Sequence, residues 1–169
     1  MKKLLCHSAL PVVVVTALIG VSVALAAVAH VSATGVGQVK LGDTPSELRD
    51  AGLAGRVRQG CEFAGPDARA AFLKPPLDGF VNFTVSTPRV VEDIQIRGGA
   101  RASGVGIGAL KSKVRDVFPN VHFDHSTESV FGITLAKVPV SDGGKFQFAI
   151  DTSTRRVVVI GVPWIAFCE

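Results

Sequence analysis

Alternation of apolar and polar positions dominates two stretches of the chain. Val81, Phe83 and Val85 recur at every second position and are followed by Ile94 and Ile96. Further on, Phe146, Phe148 and Ile150 precede Val158, Ile160 and Val162 in the same rhythm. Period two with polar residues between predicts half-buried antiparallel strands, because successive side chains point to opposite faces of a sheet. The turns "STPR" and "DTSTR" join the members of each set as hairpins. Earlier strands are expected around residues 57–63 and 123–138, with "GPDARAAFLKPPLDG" partly loop.

A short helix precedes each strand set. In the first, Thr44 is placed as N-cap, Pro45 occupies the first helical position and Glu47 follows three residues after the cap. This capping box satisfies backbone donors left free at a helix start, and Gly52 ends the helix. In the second, Leu110 stands where a cap is needed, although Val114, Val117 and Phe118 keep an apolar stripe and Pro119 stops it.

The two halves align. With Gly42 set on Gly108, 66 positions away, Val39/Val105, Ser46/Ser112, Arg49/Arg115 and Asp50/Asp116 are identical pairs, and Val91/Val157 and Ile94/Ile160 follow at the same offset. Between them the offset must drop to 65, which lays "VNFTVST" on "FQFAIDT" with apolar on apolar; at 66 the strand would be turned inside out. The extra residue falls in a turn, where insertions are tolerated. The expected fold class is therefore α+β: a tandem repeat of a short helix followed by an antiparallel β-meander, two units sharing or abutting one sheet. Residues 34–101 form the first unit and 102–169 the second.

Residues 1–33 have a different character. Lys2 and Lys3 precede a run from Ala9 to Ala29 without a charged side chain. This is the layout of a secretory signal peptide, with "AVA" (27–29) or "VSA" (31–33) as small-residue cleavage sites. The run is also long enough to cross a bilayer, which takes about 20 residues, so an uncleaved N-terminal anchor over residues 9–29 is the alternative. Either way the remaining chain lies outside the cytoplasmic membrane, extracellular or in the cell envelope, since the lysines stay inside. Removal of Lys2 and Lys3 takes 18 basic residues against 14 acidic to 16 against 14, a net charge of +2. That is too near neutral for a nucleic-acid footprint. Tyr is absent and there is one Trp, which leaves base stacking to Phe positions that read as core.

Cys61 and Cys168 remain after the signal, an even count in an oxidising compartment, and are expected to pair. A bridge closing a loop of about 100 residues contributes ~4–5 kcal/mol by chain-entropy arguments. Their use as metal ligands is disfavoured by the missing Cys-x-x-Cys spacing. "HFDHSTE" places His122, Asp124, His125 and Glu128 within reach of a metal ion. On an extended strand, however, His122 and Asp124 share a face that His125 does not, so the reading is a solvated strand end or loop. "GVGIG" is followed by Lys111-Ser112 only after Ala109 and Leu110, not at the G-x-x-x-x-G-K-[ST] spacing of a phosphate loop. No "GxSxG" occurs, and Asn82 in the sequon "NFT" fits the polar face of a strand.

Leu41, Gly42, Thr44 and Leu48 in the first unit, with Ile107, Gly108 and Val114 in the second, give a Gly, a short helix and a meander twice over. This pattern resembles the tandem α/β modules of the secreted beta-lactamase inhibitory protein family and, per module, the small outer-membrane assembly lipoproteins of the SmpA/OmlA type. The chain departs from the pattern in its cysteine placement, in lacking a Tyr/Trp-rich concave face and in lacking the second cap. The resemblance implies a binding or inhibitory scaffold and carries no site residue with it. The function expected is thus an exported non-enzymatic module, without a cofactor, presenting a sheet or hairpin surface to a protein or cell-envelope partner. The alternative is a metal-dependent hydrolytic enzyme centred on His122 and His125. No contact with nucleic acid is expected, and none with a membrane except through an uncleaved N-terminal segment.

Overall fold

A computed structural model describes residues 28–141 and 143–167. The chain opens with three short strands, β1 (Ala29–Ser32), β2 (Gly35–Val36) and β3 (Val39–Lys40), followed by helix α1 (Pro45–Asp50). A meander follows: β4 (Arg58–Gln59), a 3-10 turn (Glu62–Ala64), β5 (Arg69–Phe72), β6 (Asp78–Phe83) and β7 (Val91–Gly98). Then come β8 (Ala100–Ala102), β9 (Val105–Gly106) and α2 (Lys111–Val117). The second meander is β10 (His122–Asp124), helix α3 (Glu128–Phe131), β11 (Ile133–Pro139), β12 (Lys145–Asp151) and β13 (Val157–Val162). The class is α+β, with two mostly antiparallel sheets and, among the described residues, three short helices.

One eight-stranded sheet carries both meanders in the order β10-β11-β12-β13-β7-β6-β5-β4. They meet at β13 and β7, where Ile160 pairs with Ile96, Gly161 with Gln95 and Val162 with Ile94. Gln95 and Gly161 are themselves 66 positions apart. The pairing is thus centred on Gln95 and Gly161. A second sheet, β3-β2-β1-β8-β9, is built from strands of two to four residues. β1 lies at its centre, antiparallel to β2 and parallel to β8. Ala29–Ser32, read from sequence as the end of the signal segment, is thus a paired strand with Val31 buried. Cleavage after Ala33 would remove it, whereas cleavage after Ala29 leaves His30–Ser32 in place. The rest of the expected signal or anchor over residues 9–29, all but its last two residues, lies outside the described residues. Among the described residues no helix is long and apolar enough to cross a membrane.

One apolar cluster joins Leu48 of α1, Val114 of α2 and Val36, Val39 and Val105 of the small sheet to Val81, Ile94, Phe148 and Ile160 of the large sheet. The two helices are held differently at their starts. Thr44 accepts from the Glu47 amide at 3.3 Å while the Glu47 carboxylate takes the Thr44 amide at 2.7 Å. The bond from the Thr44 backbone holds the Glu47 carboxyl below its usual range. At Leu110 no side chain caps α2.

Two strand positions differ from the periodic reading. Val85 lies beyond the end of β6 and is exposed. Val158 also faces outward, because a bulge between Ala149 and Ile150 passes the pairing from Val159 to Val157 and skips the residue between.

Candidate functional site

The residues nominated from sequence for metal binding lie at the far edge of the large sheet. His122 and Asp124 are on the edge strand β10, opposite Lys137 and Leu135. Asp124 accepts from Lys137 Nζ at 2.6 Å and from the Ser126 amide at 2.9 Å. The Lys137 bond, more than any other contact, keeps its carboxyl far below the usual carboxylate range. Glu128, at the start of α3, accepts from the Thr134 hydroxyl and meets His125 Nδ1 at 2.6 Å. Those two bonds, Thr134 first, lower its pKa. His125 and Glu128 are thus brought together and Asp124 is turned to Lys137. Among the described residues no group of three or more His, Cys, Asp or Glu is placed to hold a metal ion.

Cys168 lies outside the described residues. Phe167, its neighbour, is brought to the other cysteine: the Phe167 carbonyl oxygen is 3.9 Å from Cys61 Sγ. This places the end of the second meander against the loop that follows β4.

The face of the large sheet turned away from α1 and α2 is divided in its covering. Over the seam lies the segment 163–167, which we term the strap. Gly161 leaves it room, since a Cβ there would strike Ile165 and the Trp164 backbone. Gln147 Oε1 accepts from the Ile165 amide at 3.2 Å, and Gln95 Nε2 donates to the Ala166 carbonyl at 3.1 Å. Ile165 packs on Leu135 and Ala149 of the second meander, and the Phe167 ring stacks on Phe131 of α3 with centroids 4.5 Å apart.

Beneath the strap sits Asp93, 3% exposed. Asn82 Nδ2 donates to both of its oxygens at 3.1 Å, and Gln95 Nε2 donates at 3.1 Å to one of them. Burial outweighs these bonds and, with the nearby charge of Glu92, pushes the Asp93 carboxyl up to about 6. The folded chain then holds a proton that the unfolded chain has released between about pH 4 and 6. Its contribution to stability is complete below the unfolded value and lost as pH rises through about 6. Glu47, Asp124, Glu128 and Asp151 have lowered values, so their contributions fall away only at more acidic pH. Urea unfolding is accordingly expected to show a loss of about 2 kcal/mol between pH ~4.5 and ~7.5. Asp93→Asn should flatten that slope; an unchanged slope in the variant would assign it elsewhere.

The first meander leaves its share of this face open. Register places Arg58 opposite Ala70, Ala70 opposite Asn82, and Phe72 opposite Phe80. Together with Arg97 at the end of β7 they line a groove of about 310 Å³. Phe72 is 52% exposed and meets Phe80 edge to face at 6.4 Å. The Arg58 guanidinium lies 4.9 Å from the Phe72 ring centroid and that of Arg97 5.6 Å from Phe80. Among the described residues neither arginine forms an ion pair.

No known family model, curated protein or solved structure matches this chain.

What the groove can do thus follows from its own chemistry. Two aromatic rings offer apolar contact, and the two guanidiniums placed over them keep donor forks that suit carboxylates or phosphates. It contains no His, and its titratable wall residue besides the arginines and Cys61 is Glu62. Nothing there forms a nucleophile–base pair. The groove was not nominated from the sequence, in which its residues are spread over four strands.

Proposed function

We propose that this chain is an exported, non-enzymatic binding module that presents the open sheet face of its first meander to a protein or cell-envelope partner. The observation that carries the reading is the exposed Phe72 ring on a regular strand, beside Phe80, Arg58 and Arg97. A large aromatic side chain fixed on a sheet and rimmed by arginine has the composition of an interface anchor, since aromatic residues and Arg are enriched where partners dock. The engagement of Asp124 by Lys137, and of Glu128 by Thr134 and His125, weighs against the metal-dependent hydrolase centred on His122 and His125. Capture of partners from the native envelope, with the wild-type chain and a Phe72→Ser variant side by side, tests the reading. A partner retained by wild type and lost by the variant supports it; identical capture by both moves the interface to another surface.

Export also bears on the cysteines. A bridge between Cys61 and Cys168 is consistent with the approach of Phe167 to Cys61 and would hold the strap across the seam. Thiol titration of the unfolded, unreduced, processed chain should find no free thiol. Two thiols would leave the strap fastened by its glutamine contacts and packing alone.

A further inference from the structure

We infer that the groove over β5 and β6 takes an acidic segment of a partner protein, seating an apolar side chain against Phe72 and Phe80 and a carboxylate at Arg58 and Arg97. The inference rests on the reading of this face as the partner surface and adds the chemistry of what binds.

Charge complementarity selects the acid. The Arg58 and Arg97 guanidiniums each lie over an aromatic ring, a contact that does not use up their N–H donors. Neither is ion-paired among the described residues. Glu62, the acid on the groove wall, offsets one of the two positive charges and leaves the other for a ligand. Guanidinium forks pair with carboxylates in bidentate fashion, and the low-dielectric rings beneath them strengthen that contact.

A peptide segment is selected by what the same face already holds. Along the seam the sheet receives the chain's own residues 163–167, which turn back over Gly161. Their backbone is met by Gln147 and Gln95, and Ile165 is seated on Leu135 and Ala149. Beside that lane the groove continues across the first meander, where Phe72 is half exposed. A volume of about 310 Å³ lies at the lower limit of small-molecule sites, which span roughly 300–1,000 Å³. It suits one or two side chains of a longer ligand.

The test uses the purified protein and three probes: a short peptide with alternating Glu and Leu or Phe, the same peptide with Gln for Glu, and free phenylpropionate. Amide chemical shifts report where each binds. The acidic peptide is expected to move the signals of Phe72, Phe80 and Arg97. It should bind about tenfold more tightly than its Gln counterpart, the change that loss of one charged contact of ~1.4 kcal/mol brings. Arg58→Gln and Arg97→Gln should each remove most of that preference and reduce its salt dependence. Both side chains are exposed, and unchanged unfolding curves will verify that the variants keep the fold. Phe72→Ser should weaken both peptides alike.

Equal binding of the Glu and Gln peptides in the groove would overturn the acidic ligand and leave the binding surface standing. Phenylpropionate bound as tightly as the acidic peptide would replace the peptide segment with a small organic acid and overturn the inference. If the acidic peptide shifts no groove signal, the inference fails as well. The capture comparison with Phe72→Ser then decides separately whether this face meets any partner.

Discussion

A fragment cut to residues 102–169 is expected not to fold by itself. The cut removes β7, so β13 loses the partner that pairs with Ile160, Gly161 and Val162 and becomes an open edge. It also removes the strands β1–β3 and most of β8, whose buried residues share one cluster with Phe148 and Ile160. Below about 70–80 residues a single core rarely supplies more than ~3–5 kcal/mol, and here that core would be opened along its middle. The lack of a side-chain cap on α2 removes about 1 kcal/mol that a good N-cap would add. Circular dichroism should show no cooperative thermal transition for the fragment, whereas the chain from residue 28 onward should unfold in a single one. A cooperative melt of the fragment would make the second meander an independent unit and the seam a mere contact.

Phe148→Ala should be among the most damaging single substitutions. The ring is fully buried and packs at 5.6 Å from Phe146 and 5.7 Å from Phe118, measured between centroids. It therefore links β12 to the residue that ends α2. Truncation to Ala leaves a cavity that strands and a short helix cannot close, and Phe→Ala changes of this kind cost about 3–5 kcal/mol. The urea midpoint should fall by that free energy divided by the m-value, itself unchanged. The same change at Phe72, half in solvent, should move the midpoint little and act on binding instead. A midpoint shift at Phe148 no larger than at Phe72 would contradict the packing described.

Local signals in the sequence were read correctly where the cause is local. Thr44, Pro45 and Glu47 write a helix start within four residues, and the cap forms as its chemistry requires. The alternation through Phe146, Phe148 and Ile150 likewise gives a strand with those three side chains buried. Where the cause is tertiary the reading fell short. Ala29–Ser32 looks like a cleavage region because small apolar residues serve both purposes; only its pairing with β8 makes it a strand. Glu128–Phe131 is a single helical turn without a side-chain cap, too short for a period to be visible. Arg69–Phe72 was hidden among loop-like neighbours and is set by its ladder with β6. The groove escaped for the same reason: Arg58, Phe72, Phe80 and Arg97 become neighbours through register alone. Asp93 reads as an outward polar position, and nothing near it in sequence announces that residues 163–167 will cover it.

The strap also has a place in the order of assembly. Its backbone is met by Gln147 from one meander and Gln95 from the other, and the lane it follows runs over Gly161, at the join itself. No half of the molecule offers that lane alone. Docking of 163–167 must therefore come after β7 and β13 have zipped, and any breathing of that join must release the strap with it. Residues 163–167 thus act as a clasp that closes only on a correctly joined sheet. A chain whose halves have paired out of register would leave this segment loose, and so mark itself to proteases as misassembled.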